Sequence, residues 1–121
     1  MKGEQHMNTL QYTEALEIYN EMERLVDRTD EDIIYLYNSL IEKAIRYAHT
    51  RAEWTTLTRQ EKIDRDESRS LLHNSFISSI DIISRTQGEA GSVWRKRLAD
   101  DRKRIGDFAC YIALCKALDA R

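Results

Sequence analysis

Residues 104–118 read RIGDFACYIALCKAL, and this stretch decides the fold. Trp94, Leu98, Ile105, Ala109 and Ile112 recur at helical spacing and make one apolar stripe. Phe108, Cys110, Tyr111, Leu114 and Leu118 point away from that stripe. A helix that is apolar on every side is buried on every side. The spacing predicts a single helix over 92–119, started at Ser92 behind Gly91. Such a helix needs either a central position or a partner chain. The reading favours a homodimer whose interface is formed by Phe108, Tyr111, Leu114 and Leu118.

Working back from this helix, Gly88 supplies a left-handed stop. It closes a helix predicted over 59–86, which opens on Thr58-Arg59-Gln60-Glu61. That pattern is a reciprocal capping box, each end residue satisfying the other's backbone N–H. The first half of the helix is polar, and the second carries Leu72, Phe76, Ile80 and Ile83. Before it, Ile33, Tyr37, Leu40, Ala44 and Ala48 predict a helix over 30–52, with Thr29 or Asp30 as cap. Ile34, Ile41 and Ile45 widen its stripe. Tyr12, Leu16, Tyr19, Met22 and Val26 predict a first helix over 9–28, started by Asn8 or Thr9. The expected architecture is all-α, a four-helix up-down bundle spanning residues 9–121. Residues 1–8 are expected to be a disordered tail or a cloning remnant, the latter because His6-Met7 resembles a cloning scar.

Composition agrees. The 121 residues include no proline and four glycines, which favours long helices joined by short polar links. Charged residues make up 33%, of mixed sign, and the net charge of −2 argues against a whole-domain grip on nucleic acid or an anionic membrane. No apolar run approaches the roughly 18 residues a membrane helix requires. The polar N-terminus shows no secretory signal, so a cytoplasmic location is expected. Cys110 and Cys115 lie five apart, on different helix faces, and are expected as reduced thiols.

Several polar residues fall on faces that should be dry. Arg65, Arg69 and His73 share the side of Leu72, Phe76 and Ile80, and Arg51 lies in line with Ile33 and Ala44. In an up-down bundle the end of the second helix lies beside the start of the third. Arg51, Arg65, Arg69 and His73 therefore form a candidate site for an anion or small ligand, because buried cations need water, carboxylates or an anion. Glu23 and Arg102 fall at similar heights and are expected to pair between the first and last helices. Asp107 and Asp81 interrupt apolar runs and are expected to serve structure.

No catalytic motif is present: no glycine-flanked serine, no glycine-rich phosphate loop. His49 and Glu53 have the i, i+4 spacing of helical metal ligands, but two ligands are too few, so neither a metal nor a cofactor is expected. The segment 95–104 carries Arg95, Lys96, Arg97, Arg102, Lys103 and Arg104, offset by Asp100 and Asp101. Its cations surround the helix instead of lining one side, which makes nucleic-acid binding a third-ranked reading.

LLHNSFISSIDIISR, residues 71–85, and WRKRLADDRKRIGDFACYIALC, residues 94–115, together resemble a family of small helical uncharacterised proteins of Gram-positive bacteria and their mobile elements. The resemblance implies a bacterial cytoplasmic setting and carries no assigned activity. The leading expectation is a non-catalytic interaction or regulatory module. A small-anion binder or enzyme using Arg65, Arg69 and His73 comes second.

Overall fold

A computed structural model describes residues 9–119, and five helices lie in that span. They are α1 (Tyr12–Arg24), α2 (Glu31–Trp54), α3 (Arg59–Thr86), α4 (Gly88–Leu98) and α5 (Arg102–Asp119). The fold is all-α. Its helix count corrects the expected four, because the predicted 92–119 helix is two.

The break has a local cause. The Asp101 carboxylate accepts the Arg104 backbone N–H at 3.0 Å and so begins a new helix. Ala99 is forced to φ 57°, ψ −166°, a region that costs a residue with a Cβ on the order of 1–3 kcal/mol. Its carbonyl is held by Arg95 Nη1 at 2.7 Å. Leu98 and Ile105, on either side of the break, are fully buried and offset that strain.

The other boundaries follow their signals more closely. The Thr58–Glu61 box forms in both directions, at 2.8 and 3.1 Å. Asp30 accepts the Asp32 and Ile33 N–H groups, at 2.9 and 3.3 Å. Gly88 adopts φ 65°. The start of α4 there, and not at Ser92, places Gly91 inside the helix, where a Cβ would collide with the Ser84 carbonyl. That missing atom lets α4 close on α3. Helix α1 is shorter than the expected 9–28: it starts after Gln11, which makes no side-chain cap, so Thr9 is not its cap. The tail assigned to residues 1–8, with the alternative cap Asn8, lies outside the described residues.

Side-chain pairs along the interfaces fix the helix directions. His73 meets Tyr47 while Arg69 meets Trp54, so α3 runs antiparallel to α2. Asp107 meets Arg51 while Lys116 lies over Tyr37, so α5 also opposes α2. Helix α1 packs on both α4 and α5.

Helix α5 occupies the central position. Ile105, Phe108, Ala109 and Ile112 are buried, and Tyr111 nearly so. Neighbours within the same chain therefore cover the all-round apolar segment. This corrects the expected interface at Phe108 and Tyr111: both are core residues of one chain. Leu114 and Leu118 remain 50% and 54% exposed. Among the described residues, no helix is long and apolar enough to cross a membrane.

Candidate functional site

Where the C-terminal end of α2 meets the first half of α3 and the start of α5, a cavity of about 340 Å³ opens to solvent. Tyr47, Arg51, Trp54 and Thr55 come from α2 and the turn after it, Arg69 from α3, and Arg102 and Lys103 from α5. Each element delivers its residues for a simple reason. Helix α2 runs on to Trp54, beyond the expected end at residue 52, and so carries its last aromatic over the start of α3. The Ala99 break swings α5 so that its first residues face this gap. The N-terminal end of α5 adds its own partial positive charge.

Four cations line the cavity, and two carboxylates answer them. Asp107 accepts from Arg51 Nη1 at 3.2 Å and from Lys103 Nζ at 3.5 Å. Its other oxygen accepts the Leu10 backbone N–H at 3.1 Å. Asp66 pairs with Arg69 Nη2 at 2.8 Å. The Arg69 guanidinium also stacks on Trp54, 4.7 Å from the ring centroid. Its Nε is buried and finds no acceptor among the described residues, an arrangement that native proteins seldom leave unanswered. Arg102 makes no ion pair among the described residues. Arg51 lies flat over Gly106, where a Cβ would come within 2.7 Å of its Nη1.

His73 stands behind the cavity wall. It is buried, and its Nδ1 lies 2.8 Å from the Tyr47 hydroxyl. Burial, followed by the charges of Arg102, Arg69 and Arg51, holds its pKa below the ordinary histidine value. The electrostatics thus register three of the cavity's cations converging on one place.

Of the sequence candidates, Arg51 and Arg69 meet in this cavity. Arg65 lies in an adjoining cavity of about 290 Å³, beyond Trp54, with Arg69 also in its wall. His73 supports Tyr47 and does not line the space. Arg102, expected to pair with Glu23, is in the cavity instead. Glu23 lies elsewhere: Tyr37 and Tyr19 donate their hydroxyls to it at 3.1 and 3.4 Å, and Arg28 approaches to 3.7 Å. Tyr37 and Arg51 are fourteen residues apart on α2, about 21 Å along the axis, so the two charges belong to different ends of the bundle. The expected pair assumed one unbroken last helix, and the break at Ala99 changes the register. Trp54 and Tyr47 carry no signal of a charge on a dry face in the sequence, where Lys103 belongs only to the basic segment 95–104 and Asp107 only to a structural role. A tryptophan one turn beyond Arg51 was the available signal for Trp54.

The basic segment 95–104 is spent largely within the chain. Arg95 pairs with Asp81 and Asp100 at 2.6 and 3.1 Å. Arg97 pairs with Glu17 at 2.8 Å and Arg104 with Glu14 at 2.9 Å. This also gives Asp81 its structural role. His49 and Glu53 lie 3.6 Å apart on an exposed face. Among the described residues, no group of three or more His, Cys, Asp or Glu side chains could hold a metal ion. Cys110 and Cys115 are free and half-buried. No family model matches the chain, and neither the curated proteins nor the solved structures give a match.

Proposed function

We propose that this protein is a helical binding module for a small anionic ligand, held at the end of the bundle where α2, α3 and α5 meet. One observation carries the reading: four cations line a single cavity, and two carboxylates, Asp107 and Asp66, pair with them from outside its lining. Cations held this close together repel one another, and an anion among them relieves that repulsion. The surplus of two positive charges is an attraction that an anion from solution can answer. Arg51, Arg102 and Lys103 bind the anionic group, Arg69 and Trp54 form the wall, and His73 holds Tyr47 in place.

Ligand-linked stability tests this. A ligand that binds only the folded state raises the melting temperature with its concentration. Phosphate, citrate and phenyl phosphate are compared with sodium chloride at equal ionic strength, on the wild type and on Arg102→Ala. The expected result is a rise with at least one of these anions that chloride does not give and that Arg102→Ala diminishes. Equal melting temperatures in all four salts would remove the reading.

A second reading, self-association, keeps one supporting observation. Leu114 and Leu118 lie one turn apart on α5 and stay half exposed. Two such residues are a small apolar patch, which ranks this reading below the first. Light scattering across a concentration series decides it, and a monomer at every concentration excludes it.

A further inference from the structure

The geometry points to a specific ligand class for this cavity, a phosphorylated planar ring of about mononucleotide size, and this inference rests on the anion-binding reading above. Volume comes first. The cavity is about 340 Å³, which falls in the range of pockets that enclose small organic molecules, roughly 300–1,000 Å³. A bare inorganic ion would leave most of it empty.

The lining divides into two chemical halves. Trp54 supplies a flat carbon surface over a floor closed by the buried Tyr47, and Arg51, Arg102 and Lys103 supply the charge. Trp54 is already fixed by the Arg69 guanidinium stacked on it at 4.7 Å. A ring immobilised before the ligand arrives loses little entropy on binding. Arginine matches the oxygens of a phosphate with paired N–H groups, which suits Arg51 and Arg102 to that headgroup.

Asp107 sets how strongly the headgroup is held. It occupies Arg51 at 3.2 Å and Lys103 at 3.5 Å, so an incoming phosphate must compete with a carboxylate already in place. An amide at this position still offers an oxygen to the Leu10 N–H and removes the competing charge. Because a dianion feels a fixed charge twice as strongly as a monoanion, a phosphate monoester gains most from that change.

The experiment separates ring from charge. Phenol, inorganic phosphate and phenyl phosphate are titrated at about pH 8, above the second phosphate pKa of about 6, into wild type, Asp107→Asn and Arg102→Ala. The two indole N–H signals are followed by NMR. The Trp54 signal, assigned with Trp54→Phe, should move. The Trp94 signal should stay, because that indole is buried and donates to Gln87 at 2.6 Å. Phenyl phosphate should bind at least about tenfold more tightly than phenol or phosphate alone, the weight of one charge-assisted hydrogen bond or one stacked ring. Asp107→Asn should tighten it further and Arg102→Ala should weaken it. If inorganic phosphate binds as well as phenyl phosphate and both need Arg102, the ring-bearing class is wrong while the anion site stands. If the Trp54 signal responds to none of the three at millimolar concentration, the anion site falls and the class with it. Melting curves of the variants confirm that each is folded.

Discussion

The two ends of the bundle use the same materials to opposite effect. At one end Tyr19, Tyr37 and Glu23 close on one another, with the two hydroxyls 3.2 Å apart and both directed at the carboxylate. Arg28 and Lys116 lie over the rings, at 5.2 and 5.8 Å. Each donor there has an acceptor and the carboxylate has a cation beside it. Burial pushes both tyrosine hydroxyls above their ordinary pKa, so they remain donors at neutral pH. At the other end, Tyr47, Trp54 and four cations surround open space. A satisfied cluster holds a fold together; a cluster with surplus charge and room beside it is available for a ligand. Counting cations does not distinguish the two, since the segment 95–104 is richer in them and still spends three arginines on internal pairs.

The most severe way to disturb the open end is from beneath. Gly106→Ala puts a methyl group where the Arg51 guanidinium now lies. Overpacking of this kind costs about 1–3 kcal/mol, and here the Arg51 side chain, being flexible, can relieve part of it by moving away from Asp107. Urea denaturation should show the loss, and phenyl phosphate binding should weaken in the variant. Unchanged binding with Arg51 displaced would mean that this arginine is not part of the site.

A paired comparison of smaller size sets the ends directly against each other. Tyr37→Phe removes one donor to Glu23 and the partner of the Tyr19 hydroxyl. The expected cost is about 1–2 kcal/mol, because the buried groups left behind lose their partner. Arg102→Ala removes an exposed side chain with no ion pair among the described residues, and should change stability by no more than about 0.5 kcal/mol. Equal losses in the two variants would erase the distinction between a structural end and a binding end.

How much of this was legible beforehand follows from which interactions are local. The helix starts at Thr58 and Asp30 and the stop at Gly88 were readable because capping is settled within four residues. The buried stripe Trp94, Leu98, Ile105, Ala109 and Ile112 was readable for the same reason. The break at Ala99 was not. Its periodic apolar pattern continues across the gap, and the Asp100-Asp101 pair looked like compensation for neighbouring cations when Asp101 is in fact a cap. That one miss moved Arg102 from an ion pair to the cavity. It also hid how the chain itself covers Ile105, Phe108, Ala109, Tyr111 and Ile112 of α5. Arg51 and Arg69 were found because antiparallel neighbours bring helix ends together. Asp107 was noticed as an interruption, yet its hold on Arg51 depends on a contact 56 residues away in the chain, which spacing alone does not reveal.

The smallest expected effect, and the most diagnostic of the open end, is on His73. Burial and then Arg102, Arg69 and Arg51 lower its pKa. The unfolded chain therefore takes up this proton at a higher pH than the folded one. The sign is fixed: the contribution to stability is complete above the unfolded value of about 6.5 and is lost as pH falls through the lowered folded value. Arg102→Ala takes away the first of the electrostatic causes and leaves burial, the larger one, in place. The His73 ring signals in an NMR titration should then shift their midpoint upward toward the ordinary value without reaching it, and the acid-side slope of stability against pH should flatten. An anion seated between Arg51 and Arg102 should act in the same direction in the wild type, by offsetting their charge. A midpoint indifferent to Arg102→Ala would show that the guanidinium does not face His73 across the Tyr47 wall, and the convergence of cations on which the site depends would be lost.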